Sequence, residues 1–126
     1  MTYETGDRIA RITLDRPERG NGITLEMPRE LTDAVEQANL DPDVHVIALA
    51  GEGKGFCGGY DLVWSAEQTL ANHDPNEVWD PVLDWQFMSR NVRGFMSLFH
   101  SDKPVVCKVH GFCVAGGTDM ALCSDL

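Results

Sequence analysis

One arrangement occurs twice in the second half of the chain and limits what it can fold into: a buried strand, a pair of glycines, then a helix. The first copy is IALAGEGKGFCGGYDL, with Gly58-Gly59 ahead of the helix; the second is VVCKVHGFCVAGGTDMAL, with Gly116-Gly117. A mostly apolar run such as VHVIALA (Val44 to Ala50) is the pattern of a parallel strand covered on both faces. Parallel neighbours need crossover connections, so the repeated unit predicts an α/β fold with parallel strands and right-handed crossovers.

The rest of the chain fits that order. Thr5-Gly6-Asp7 reads as a turn before a strand carrying Ile9, Ile12 and Leu14, which pairs back on the first residues. Asp15-Arg16-Pro17 ends it, and a loop with Gly20-Asn21-Gly22 follows. Thr24 is placed to cap a helix running to about Leu40, with Pro28 in its first turn and Leu31, Ala34, Val35 and Ala38 as its apolar stripe. Asp41-Pro42 stops it. After the loop Gly51 to Gly59, a helix is predicted from Asp61 to about Ala71, then a polar turn around residues 72–76. A helix from about Val82 to Phe99 brings Trp85, Met88, Val92, Phe95 and Leu98 to one side, and a strand spans Val105 to Val109.

Composition narrows the function classes. A chain of 126 residues makes one modest domain. A net charge of −10, with no cluster of Lys and Arg among aromatics, argues against nucleic acid. The four cysteines form no CxxC pair and sit in apolar or Gly-rich settings, which suits reduced thiols inside a cell rather than a disulfide framework. No apolar run approaches the roughly 20 residues of a membrane span, and the polar start MTYETGDRIARI lacks a signal-peptide core. A soluble, cytoplasmic protein with no membrane partner is expected. His45, His73 and His100 lack metal-ligand spacing, so no metal is expected.

Glycine pairs at strand-to-helix turns let a ligand approach the backbone, and helix N-termini offer unpaired N–H groups. Two such termini side by side can donate to one oxygen that becomes negative, which defines an oxyanion hole. Other glycine chemistries fail on spacing. GEGKGF ends in Phe56 where a dinucleotide fingerprint needs Gly, and Gly53-Lys54 lacks the P-loop's preceding Gly and following Ser or Thr. No G-x-S-x-G elbow exists, and the nearness of His110 to Cys113 is all that suggests a thiol nucleophile. Asp119 follows Gly116 by one helical turn, a spacing that puts its carboxylate beside the oxyanion site; an acid favoured near a helix N-terminus by the dipole is the other reading.

Taken together, RPERGN (Arg16 to Asn21), GKGFCGGYDL (Gly53 to Leu62) and KPVVCKVHGFCVAGGTDMAL (Lys103 to Leu122) resemble the N-terminal half of the crotonase, or enoyl-coenzyme A hydratase/isomerase, superfamily. The resemblance implies a ββα spiral core, incomplete here. It implies an acyl-coenzyme A substrate whose enolate oxygen is held by the amides of Gly58 and Gly116, with Asp119 as acid/base. The loop of Gly59, Tyr60 and Asp61 would hold the coenzyme through backbone groups, and Gly20 to Gly22 would border it; Arg19 would meet a phosphate or stay solvated. Coenzyme A enters as part of the substrate, with no prosthetic group, and the family builds homotrimers or dimers of trimers. Hydratases of the family usually carry Glu at the position of Asp119, paired with a second Glu further on. Asp there resembles the dienoyl-coenzyme A isomerase branch. The second acid would lie beyond Leu126, so the chain reads as an N-terminal portion. A non-catalytic acyl-coenzyme A-binding member is the alternative. Trp64, Trp79, Trp85 and Phe87 read as core or as acyl-pocket wall, Met88 and Met96 as core filler, and acids such as Glu67, Asp74, Glu77, Asp80 and Asp84 as a solvated face.

Overall fold

The computed structural model describes residues 1–63, 65–67 and 78–126. Strand β1 (Thr2–Gly6) and strand β2 (Ile9–Leu14) form an antiparallel hairpin with Gly6 opposite Ile9. Its two loop residues, Asp7 and Arg8, both lie in the left-handed region, at φ 54 and 64. That is the mirror-image turn whose twist matches a two-residue hairpin. Strand β3 (Val46–Gly51) pairs parallel with β2, and strand β4 (Val105–Lys108) pairs parallel with β3, giving the order β1-β2-β3-β4. The predicted parallel α/β architecture is present.

Alternation places Ala10, Ile12 and Leu14 of β2 and Ile47 and Leu49 of β3 in the core, all fully buried. Helix α1 (Met27–Leu40) buries Met27, Pro28, Leu31, Val35 and Ala38, one stripe at helical spacing. It starts later than the sequence suggests, and Thr24 does not cap it. Ile23 is committed to a parallel bridge with Tyr60, donating to Gly59 and accepting from Asp61, so the chain turns helical only after Glu26. At the other end, Lys103 Nζ donates to the Ala38 carbonyl at 2.6 Å and satisfies one of the helix's last acceptors.

Helix α2 (Pro81–Phe99) is capped by Asp80, whose carboxylate accepts from the Val82 amide at 2.9 Å. Its buried face is Asn91, Gly94, Phe95 and Leu98. A Cβ on Gly94 would come within 2.6 Å of the Pro28 carbonyl, so glycine lets α2 close onto α1. The expected stripe is therefore only half right. Trp85, Met88 and Val92 are 67%, 43% and 50% exposed, because the buried face is the one carrying Asn91, Gly94, Phe95 and Leu98, and Val92 points away from it although it lies between Asn91 and Phe95. Helix α3 (Gly116–Leu122) follows the second glycine turn and buries Met120. Of the helix expected from Asp61, residues 62–63 and 65–67 are helical; its remainder, the turn at residues 72–76, and Trp64, His73, Asp74 and Glu77 lie outside the described residues.

Candidate active site

Beyond the C-terminal ends of the three parallel strands, the loops continue to pair. That is where open α/β sheets bind ligands. Phe56 donates to the carbonyls of His110 and Phe112, both at 2.9 Å, Val114 donates to Cys57 at 3.0 Å, and Ile23 donates to Gly59 at 2.8 Å. The loop after β2, the first glycine turn and the second glycine turn thus lie side by side.

The contact is close enough to demand the glycines. Gly59 has φ +88, and a Cβ there would stand 3.1 Å from both the Val114 carbonyl and the Ala115 methyl. A Cβ on Gly117 would meet Cys57 Cβ and its carbonyl at 2.8 Å. Ala115, the residue before α3, holds φ 47 and ψ −123, a strained conformation for a residue with a side chain.

The predicted oxyanion donors differ in their present partners. Gly116 is buried, with the Tyr60 ring edge 3.3 Å and Ile23 Cδ1 2.6 Å from where its Cβ would be, and its amide makes no hydrogen bond among the described residues. Gly58 is exposed, and its amide donates to the Gly20 carbonyl at 2.9 Å. Asp119 is exposed on α3, one turn beyond Gly116.

A cleft of about 350 Å³ is lined by Glu18, Arg19, Gly22, Gly58, Gly59 and Tyr60, continuing to Val63. It gathers most of the residues expected around the coenzyme. Gly20 is not part of the wall: it turns at φ +59 under the Phe112 ring and acts through its carbonyl on Gly58. Beyond Tyr60 a second, more apolar cleft of about 270 Å³ is lined by Ile23, Leu25, Leu62, Phe87 and Met88. Phe87 and Met88 are thus pocket wall rather than core, whereas Trp79 and Trp85 are exposed, and Trp79 Nε1 donates to Asp84 at 2.6 Å.

Asp61 is structural as well as peripheral to the cleft. Its carboxylate, 4% exposed, accepts from Arg16 Nη2 at 3.0 Å and from Arg19 Nε at 3.2 Å and Nη2 at 2.6 Å. Arg19 is therefore neither freely solvated nor an uncommitted phosphate ligand; its hydrogen bond to Asp61, and then the Asp61 charge, raise its pKa. Sequence reasoning also passed over Asn21. Fully buried at φ 54, its amide donates to the carbonyls of Glu52, Gly55 and Phe56 at 2.8–3.0 Å, and its oxygen accepts from the Arg16 amide. An Asn between two glycines was the available signal; the Arg16–Asp61 pair spans 45 residues and left none.

Thiol chemistry finds no support. His110 Nε2 lies 3.0 Å from the Gly53 carbonyl, and Cys113 Sγ faces Thr118 Oγ1 at 3.9 Å, so imidazole and thiol are not paired. All four cysteines are free, and burial pushes the Cys57 and Cys123 thiols up and Cys107 up to about 11.

Comparison with known proteins agrees with this geometry. The enoyl-CoA hydratase/isomerase family model matches residues 4–126. A crystal structure of enoyl-CoA hydratase from Mycobacterium smegmatis superposes with a TM-score of 0.86 at 58% identity, over 99% of this chain and 44% of that one. An enoyl-CoA hydratase/isomerase from Xanthobacter autotrophicus Py2 gives 0.82 at 33% identity, over 99% and 44%. The mouse mitochondrial Delta(3,5)-Delta(2,4)-dienoyl-CoA isomerase is 26% identical over 121 residues, 94% of this chain and 36% of that protein. The chain spans about two-fifths of the length of the curated relatives it matches first. With the family model matching residues 4–126 and a 58% identical structure superposing over 99% of its length, the chain belongs to the enoyl-CoA hydratase/isomerase family.

Proposed function

We propose that the protein carrying this chain acts on unsaturated acyl-coenzyme A thioesters through an enolate, with the amides of Gly58 and Gly116 as oxyanion donors and Asp119 as acid/base. The observation that carries this reading is the packing of the two glycine turns, Gly59 against Val114 and Ala115 and Gly117 against Cys57, with α3 and its Asp119 beginning at the seam. The thioester carbonyl would take the Gly116 amide and replace the Gly20 carbonyl on Gly58. Each such donor is worth about 2.7–4 kcal/mol of barrier. The coenzyme would lie in the cleft of Gly22, Gly59 and Tyr60, and the acyl chain beyond Tyr60 between Phe87 and Met88.

Double-bond isomerisation without hydration is the second reading, favoured by Asp119. An aspartate is one methylene shorter than the glutamate that hydratases of the family carry, so it suits a proton moved along the chain better than a water held over a double bond. The relative named as a dienoyl-CoA isomerase is consistent with it.

The test is to incubate the full-length protein with saturated and unsaturated acyl-coenzyme A in heavy water, and to follow mass. Water addition that is lost in Asp119→Asn establishes hydration. Deuterium uptake without water addition, again lost in Asp119→Asn, establishes isomerisation. Binding with neither change removes the enzymatic reading for these substrates and leaves an acyl-coenzyme A-binding protein.

A further inference from the structure

Gly116 has no side chain of its own, so its direction depends on what packs against it, and three separate elements supply that packing. From the position a Cβ would take there, Ile23 Cδ1 is 2.6 Å away, Tyr60 Cε2 3.3 Å and Phe95 Cε2 3.7 Å. Ile23 and Phe95 are fixed by burial in the core. Tyr60 is only partly buried and lines both the coenzyme cleft and the apolar cleft, so packing holds it less completely. Hydrogen bonds anchor it instead. Its backbone pairs with Ile23, through bonds from the Ile23 amide to Gly59 at 2.8 Å and from the Asp61 amide to Ile23 at 3.0 Å. At the far end of the side chain, its hydroxyl hydrogen-bonds with the side-chain amide of Asn91. Asn91 is 4% exposed and lies one turn before Phe95 on the buried face of α2. One helix face thus supports Gly116 twice, directly through Phe95 and indirectly through Asn91 and Tyr60.

We propose that Tyr60 is a positioning residue for the Gly116 oxyanion donor, and that Asn91 acts through it by holding the ring in place. This rests on the enolate reading given above. An oxyanion donor is effective only when its N–H already points to where the charge develops. The peptide plane carrying the Gly116 N–H follows Ala115, whose φ of 47 and ψ of −123 are strained. Any relaxation of that strain turns the plane and with it the N–H. The Tyr60 ring, packed on Gly116 and tethered to α2, opposes the rotation. Asn91 lines neither the coenzyme cleft nor the apolar cleft, so replacing it removes no wall from the space assigned to the substrate.

The experiment uses the full-length protein and two readouts. In turnover of an enoyl-coenzyme A, Tyr60→Phe keeps the ring and loses its tether. It should lower kcat about tenfold with KM nearly unchanged, short of the roughly hundredfold that a misplacement of about 1 Å can cost. Asn91→Ala should do the same, and the double variant should be no slower than either single one, because each breaks the same hydrogen bond. The second readout is the fraction of bound 3-ketoacyl-coenzyme A present as its enolate at neutral pH, followed by ultraviolet absorbance. It reports how well the donors hold a negative oxygen without any turnover, and a general loss of stability does not move it. That fraction should fall in both variants; the phenylalanine variant carries the test alone should Asn91→Ala misfold. An unchanged kcat and enolate fraction in Tyr60→Phe, or a rise in KM alone, overturns the positioning role while leaving the enolate reading intact. So does a loss in Tyr60→Phe that a folded Asn91→Ala does not share, or an additive double variant, since either would put the phenol on the substrate itself. A parent protein that neither turns over the enoyl thioester nor enriches the enolate of the bound ketone overturns both readings.

Discussion

The Gly58 amide donates to the Gly20 carbonyl at 2.9 Å, so one of the two proposed oxyanion donors already has an acceptor. Binding must exchange that acceptor for the substrate oxygen. Because Gly20 sits in the loop that Arg16 and Arg19 tie to Asp61, the exchange has to move a short segment, residues 16–22, and with it the Phe112 ring that covers Gly20. A non-reactive acyl-coenzyme A analogue should therefore raise backbone hydrogen exchange in residues 19–22 while Gly58 stays protected. Unchanged exchange in that loop at saturating ligand would mean that the Gly20 bond persists and Gly58 is not a donor.

The Asp61 carboxylate should prove a strong stability element. It is almost wholly buried and shared by two guanidiniums, and Arg16 also donates to the Gly22 carbonyl at 2.8 Å. Replacing it by asparagine removes the charge that both arginines face. The arginines are partly solvated and recover some hydration, so Asp61→Asn should cost about 1–3 kcal/mol. Arg19→Lys, which loses the two-pronged geometry and keeps the charge, should cost less. Urea midpoints of the two variants check the order.

Much of this arrangement could be read before any coordinates. The strand carrying Ile9, Ile12 and Leu14 was legible, as were the two glycine pairs at the turns that meet at the site, although the pleat puts Ala10 rather than Ile9 on the buried face with Ile12 and Leu14. What escaped were relationships between distant segments. Helical spacing put Trp85, Met88 and Val92 on one side with Phe95, but periodicity does not fix which side a neighbouring helix covers, and the buried face is that of Asn91, Gly94, Phe95 and Leu98. Thr24 has the chemistry of a cap, yet the neighbouring Ile23 is drawn into pairing with Tyr60 and the helix starts later. The bond from Gly58 to Gly20 is likewise a product of tertiary packing, which local sequence does not encode.

Cys107 should make stability fall at alkaline pH. Burial raises its thiol from 9.0 to about 11, so the folded protein holds the proton more tightly than the unfolded chain. The contribution is complete below pH 9.0, declines as the unfolded chain ionises, and is spent by about 11. Cys107→Ala should flatten that part of the decline, seen as a smaller change in urea midpoint between neutral pH and about 11 than in the parent. Equal slopes would show that the thiol is not buried in solution.

Ala115 offers the converse case, a substitution that should stabilise. Its φ of 47 and ψ of −123 suit glycine, and its methyl lies 3.1 Å from the position a Cβ would take on Gly59. The strain costs about 1–3 kcal/mol, and glycine's greater freedom in the unfolded chain returns about 0.5–1 kcal/mol of that. Ala115→Gly should therefore raise stability by about 1 kcal/mol, read as a Tm higher by a few degrees. Because Ala115 also sets the direction of the Gly116 amide, a variant that gains stability but loses kcat at unchanged KM would show that the strain aims the oxyanion donor. A variant with a lower Tm would show instead that the methyl contributes more through its packing on Gly59 than the backbone loses through strain.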